Sequence, residues 1–189
     1  MEFLTELWLP ILLSAVAVFF LSSVLHMMLP LHKSDYKPLA NEEAVLASMR
    51  EHGVQPGEFM FPHCADMKEY SSPEMTAKFE QGPVGMLTVL PPGSWTMGKS
   101  LSQWFAMSLI ISAIVAYLTH IAYGGRPEGA EPTFNQLLQM AGASAFLGYA
   151  GCTATNSIWK GVAWSTTAKF VFDGLLYGIA TGLIFAFLG

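Results

Sequence analysis

The sequence predicts an all-α polytopic membrane protein: four transmembrane helices with a small α+β cytoplasmic insert between helices 1 and 2. Three observations lead there. Charged residues are 12% of the 189-residue chain and hydrophobic residues 52%, against a charged fraction of about 25% in soluble domains. The charge deficit is concentrated in the windows Leu7–Leu29, Leu101–Tyr123, Phe134–Trp159 and Trp164–Leu188, each long enough to cross a hydrocarbon core of about 30 Å. The polar stretch between the first two windows is too long for a connector and carries its own helix and strand signals. The expected organisation is helix 1 over 1–30, the insert over 31–98 and helix 2 over 99–124. A short loop with helix 3 covers 125–160, and helix 4 covers 161–189.

The first window reads as a retained span. Only Glu2 and Glu6 precede it where a signal peptide would be basic, and its apolar run is long. Ser14, Ser22 and His26 recur at steps of four or eight and share a face, and Pro30 stops the helix. In the insert, Asn41 is placed to cap a helix that ends at Gly53. A strand is expected at Glu58–Phe61. Ser72-Pro73 opens a second helix that Gly82 closes, and Val84–Leu90 is a second strand ended by Pro91-Pro92. So little apolar sequence is marginal as a free domain, and the insert is expected to lean on the bundle.

The remaining spans each present a stripe of small or polar residues. Span 2 has Ser108, Ser112, Ala116 and His120, and span 3 has Ser144, Gly148, Cys152 and Asn156. Span 4 has Gly174, Gly178, Gly182 and Ala186 at the same step. Membrane helices pack through such stripes, because lipid offers no hydrophobic drive to separate helix from solvent. The expected use is close packing against neighbouring protein, in a homo-oligomer or a larger membrane complex surrounded by lipid.

Lys33, Lys37, Lys99 and Lys160 lie near the membrane ends on the insert side, against Arg126 on the other. The positive-inside rule then places 31–98 in the cytoplasm and both termini outside, in a bacterial-type inner membrane. Trp95, Trp104, Trp159 and Trp164 on the insert side and Trp8 on the other read as interfacial anchors. Cys64 and Cys152 do not make a disulfide framework. A net charge of −5 gives no reason to expect nucleic acid as a partner.

Three groups of residues bear on chemistry. The run from Gly93 to Ser100 satisfies the nucleotide-binding G-x4-G-K-[ST] pattern. It leads into a membrane span, however, and no Walker B strand accompanies it. The expected role is a glycine-bounded interfacial turn with a snorkelling Lys99, and the alternative is a lipid phosphate held by Lys99 and Ser100. Met60, His63, Cys64, Asp66 and Met67 pack soft-metal ligand types into eight residues, a set suited to Cu(I) or Zn²⁺. It has no CxxC or HxxxH spacing, and a plain turn is the competing reading. The third group is His26, Asn156, Lys169 and Asp173, expected at one depth at the cytoplasmic end, with Lys169 pairing to Asp173 across one helical turn. His120 falls toward the opposite surface.

No G-x-S-x-G, H-E-x-x-H or dinucleotide fingerprint occurs, so no catalytic residue is expected. The expected role is a non-enzymatic structural or accessory membrane component. Its rivals are a small transporter or permease component using the polar group, a copper- or zinc-handling protein using the Met/His/Cys loop, and last a lipid-acting enzyme.

Overall fold

The structure, a computed structural model, describes residues 3–93, 96–127 and 130–189. In chain order the helices and strands are α1 (Phe3–Glu6), α2 (Trp8–Ser23), α3 (Glu42–Glu51), β1 (Gly57–Phe61), α4 (Pro73–Gln81), β2 (Gly85–Val89), α5 (Met97–Tyr123), α6 (Phe134–Ala150), α7 (Ala154–Lys160) and α8 (Trp164–Leu188). A π turn at Val24–Met28 prolongs α2, and a 3-10 turn follows at Pro30–His32. The chain divides into two compact units. One comprises Met1–Asp35, Thr96–Ser157 and Val162–Gly189, the other Tyr36–Trp95 with Ile158–Gly161. The insert expected from Leu31 therefore begins at Tyr36, because Leu31–Asp35 stay with the helices.

Among the described residues, three helices, Trp8–Met28, Met97–Tyr123 and Trp164–Leu188, are long and apolar enough to cross a membrane. The expected span 3 is not one helix. It breaks after the 17 residues of α6, which at 1.5 Å per residue reach about 25 Å. Gly151-Cys152-Thr153 is the cause. The backbone there changes to three-residue turns, with Thr153 N–H to Ala150 O and Asn156 N–H to Thr153 O. The Thr153 hydroxyl also donates to Ala150 O at 2.8 Å, so the side chain competes for the helix's own acceptor.

Packing in this unit is led by α8 against α6. A Cβ on Gly174 would lie 2.6 Å from Ala150 Cβ, on Gly178 2.8 Å from Gly142 O, and on Gly182 2.7 Å from Leu138 O. The three glycines thus let α6 come down to backbone contact. The matching face of α6 is Leu138, Gly142, Phe146 and Ala150, not the Ser144/Gly148/Cys152 stripe expected for span 3. Gly148 turns toward α5 instead, where a Cβ would meet Ile111 Cγ2 at 3.0 Å, and Cys152 is exposed in the break. The Ser/Gly/Cys series was continuous in sequence, but the side facing α8 is set by helix rotation, about 100° per residue.

Ser14, Ser108, Ser112, Ala116, Ala141 and Ala145 are fully buried, while Phe20, Ile110, Ile114, Ile121 and Leu147 point outward and are exposed. Small and polar inside, large and apolar outside, is a distribution suited to hydrocarbon.

The second unit follows the predicted order of helix, strand, helix, strand. β1 and β2 pair antiparallel, with Gly57 opposite Val89 and Phe61 opposite Gly85. Ser72 caps α4, its hydroxyl accepting from Met75 N–H at 3.2 Å. Asn41 does not cap α3 as expected; it sits at the N-cap position with φ 55° and its side chain accepts nothing there. Asparagine is among the few residues that tolerate that left-handed turn.

The α6–α8 seam predicts opposite results at two glycines. Gly178→Ala should destabilise the purified protein by about 1–3 kcal/mol, since the added methyl meets rigid backbone. Gly98→Ala, with no atom of the described residues within 4 Å of the new methyl, should change stability by less than about 1 kcal/mol. Thermal melts of helical circular dichroism in detergent compare them, and equal melting temperatures for Gly178→Ala and wild type would refute the seam.

Candidate functional site

A polar cluster forms where the chain turns back on itself after the first long helix. In the π turn, Leu29 N–H reaches five residues back to Val24 O at 3.0 Å, a widening often found where a side chain must be re-aimed. His26 lies in that turn, and its Nδ1 donates to Ser22 O at 3.1 Å. Leu29 is extended, as a residue before proline prefers to be, and Pro30 opens the 3-10 turn. That reversal lays His32 on His26, ring centroids 4.1 Å apart and planes within 5°.

His32 joins two carboxylates. Its Nδ1 lies 2.6 Å from Asp35 Oδ2 and its Nε2 2.9 Å from Asp173 Oδ2. Lys169 donates to Asp35 Oδ1 at 2.6 Å and to Ser34 Oγ at 2.8 Å. The chain Lys169–Asp35–His32–Asp173 thus crosses from α8 to the reversal and back to α8. The second nitrogen of His26, Nε2, stands 3.7 Å from Asp173 Oδ2. A neutral imidazole has one donor and one acceptor. With an acceptor oxygen at each end, His32 holds a second proton or Asp173 carries one.

Asp173 is 1% exposed, and its other oxygen, Oδ1, has no hydrogen-bond partner. Beside it is a cavity of about 390 Å³ walled by Ser22, His26, Trp104, Tyr149, Asp173 and Tyr177, among others. Trp104 Nε1 donates to Ser22 Oγ at 2.9 Å, and the Tyr149 and Tyr177 rings meet edge to face at 5.3 Å. The two tyrosine hydroxyls are buried without a hydrogen bond of ordinary geometry, although Ser108 and Ser112 lie near the first and Ser22 near the second.

Of the expected polar group, His26, Lys169 and Asp173 come together. Lys169 does not pair with Asp173; Asp35 holds its ammonium instead, and His32 takes the Asp173 carboxylate. Asn156 is exposed, on the short α7 that follows the break after α6. His32, Ser34 and Asp35 were missed. Their signal was a His-x-x-Asp immediately after Pro30, within reach of the preceding helix end. Ser100 borders the cavity from the first turn of α5, and Lys99 is exposed beside it. Ser94 and Trp95, on which the Gly93–Ser100 pattern and one interfacial anchor depend, lie outside the described residues.

Of the soft-metal loop, His63, Cys64 and Asp66 form no three-membered ligand group among the described residues. Among the described residues, the three-membered group of His, Cys, Asp or Glu with ligand atoms within 4.8 Å of one another is His26, His32 and Asp173, and it includes no residue of the loop. Met60 is taken up by β1 with its sulfur 3.8 Å from Tyr70 Oη, Asp66 accepts from Lys68 N–H, and Met67 is exposed. Cys64 is buried, and burial, helped by Glu69, pushes its thiol up, away from the thiolate a metal needs. His63 is exposed.

Searches of protein-family models, curated proteins and solved structures find no match to this chain. The functional reading therefore rests on the residues alone.

Burial pushes the Asp35 carboxyl up, but hydrogen bonds and charge from Lys169 and His32 outweigh it and hold the group below its ordinary value of 3.8. A depressed carboxyl contributes stability above its unfolded value, and that contribution is lost as pH falls through the folded one. Lys169→Met should therefore cost about 1–3 kcal/mol at neutral pH. The gap to wild type should narrow as pH drops below 3.8. Chemical unfolding in detergent at a series of pH values measures it; a gap that widens in acid contradicts the pairing.

Proposed function

We propose that this protein is a multi-pass inner-membrane protein of bacterial type that works as a small transporter or permease component, holding a cationic solute at His26, His32 and Asp173. The observation that carries the reading is Asp173: a cavity-lining residue, almost wholly buried, whose Oδ1 has no donor among the described residues. Burying such a group unsatisfied costs several kcal/mol, which a bound cation or water offsets. Two imidazoles beside it can add lone-pair ligands for a cation once the proton shared by His32 and Asp173 has left.

The three long apolar helices support membrane insertion. On this reading α6 and α7 together make a fourth pass, short and broken, with its irregular backbone turned to protein or water. The lysine and arginine distribution supports residues 31–98 in the cytoplasm and both termini outside.

A purely structural role, in a homo-oligomer or larger complex, drew its force from the glycine stripe of α8. That stripe is already filled by α6 of the same chain, so it calls for no second copy. Packing alone also leaves the Asp173 oxygen without a purpose.

Proteoliposomes test the reading against a panel of Na⁺, K⁺, Mg²⁺, Mn²⁺ and Zn²⁺. Wild type should take up at least one of them about tenfold faster than Asp173→Asn, the loss of one charged contact. Uptake no faster than empty liposomes for every ion on the panel refutes transport.

A further inference from the structure

We infer that His26 Nε2, His32 Nε2 and an oxygen of Asp173 make a binding site for a divalent first-row transition metal of the Zn²⁺ class. The inference rests on the cation reading above and names the cation. All three ligand atoms already lie within 4.8 Å of one another. Two imidazoles and one carboxylate suit zinc and its neighbours, and three protein ligands leave a coordination position open. The adjacent cavity of about 390 Å³ gives that position room for water or a second solute.

The partners of the ligands argue more strongly than their proximity. A metal-ligating histidine usually donates its other ring N–H to a carboxylate or backbone carbonyl, which fixes its tautomer. Both arrangements are present. His26 Nδ1 donates to the Ser22 carbonyl at 3.1 Å, which leaves Nε2 as the ring atom facing Asp173, 3.7 Å from its Oδ2. His32 Nδ1 faces the Asp35 carboxylate at 2.6 Å, and Asp35 is itself held by Lys169 at 2.6 Å. A lysine–aspartate–histidine series that only pinned the reversal to α8 would not require His26 to keep an unoccupied nitrogen beside the same carboxylate. Nor would it leave Asp173 Oδ1 buried and unpartnered.

Two adjustments accompany binding. The proton between His32 Nε2 and Asp173 Oδ2, 2.9 Å apart, leaves to solvent, and the metal takes its place between the same two atoms. The rings are stacked 4.1 Å apart with their planes within 5°, so their in-plane Nε2 lone pairs lie in separate parallel planes. One ring must turn for both nitrogens to reach about 2.0–2.1 Å from one ion. His26 is the one free to do so, since its side chain is 37% exposed against 9% for His32.

The test uses the full-length protein in detergent, stripped with a chelator and titrated with Zn²⁺, with Co²⁺ as a second, spectroscopic probe. Wild type should retain one Zn²⁺ per chain and show visible Co²⁺ ligand-field bands. Asp173→Asn and His26→Gln should each weaken binding about 100-fold, and Asp35→Asn about tenfold. His26→Gln is the decisive variant, because it leaves the Asp35–His32–Asp173 bonds in place; helical circular dichroism and gel filtration check that it is folded. Absence of stoichiometric metal in wild type overturns the inference. So does wild-type affinity in folded His26→Gln, or loss of the metal on His63→Ala. Stoichiometric Zn²⁺ without ion uptake in liposomes upholds the metal site and refutes transport. Uptake of some cation by a chain that holds no Zn²⁺ does the reverse.

Discussion

Backbone contact between α8 and α6 is the constraint from which the rest of the helical unit follows. Gly174, Gly178 and Gly182 face Ala150, Gly142 and Leu138 so closely that no side chain fits between them. Once that stripe is committed, the preceding stripe of α8 is committed as well. Asp173, Tyr177 and Thr181 lie one residue earlier, rotated about 100° around the helix, and all three are buried. The seam therefore aims a carboxylate into the bundle rather than at lipid, where it would be far more costly.

The buried carboxylate in turn sets what the first helix does at its end. An Asp at that depth needs a donor, and the chain supplies one by reversing through Leu29-Pro30 and returning His32 to it. His32 then presents a second nitrogen, which Asp35 meets, and Lys169 balances Asp35 from the same helix that carries Asp173. Counting Lys169 and a doubly protonated His32 against two carboxylates, the group is neutral overall. Moving the shared proton onto Asp173 does not change that sum. Such a group can be buried at modest cost, because every charge has an opposite partner in contact. The exceptions are the Asp173 Oδ1 atom and the Nε2 of His26, and both residues line the same cavity. Function is read from these exceptions, since the satisfied contacts already have a structural reason to exist.

Much of this architecture was legible in the residues. Long apolar windows announce membrane-competent helices because length and hydropathy are local properties. The insert's order of helix, strand, helix, strand was readable from Ser72-Pro73, Gly82 and the alternating strands, where turn chemistry is set by neighbours in sequence. The break after Ala150 was not legible, since a window average counts Gly151-Cys152-Thr153 as apolar enough while the backbone there spends its acceptors on threonine hydroxyls. The candidate site was half legible: His26, Lys169 and Asp173 stood out as ionisable groups in or beside apolar windows. His32 and Asp35 did not, being taken as the first residues of a polar loop.

The sequence by itself determined that the chain carries long lipid-compatible helices, that α8 has one face too small for lipid, and that ionisable groups sit beside it. Composition and periodicity settle those points without reference to any other part of the chain. Only the tertiary structure decided which helix fills the glycine face, which acid each base meets, and that His26, His32 and Asp173 converge. The physical reason is that pairing depends on helix rotation and on where a chain reversal ends. Both are fixed by contacts between residues as far apart as His32 and Asp173, which no local pattern records.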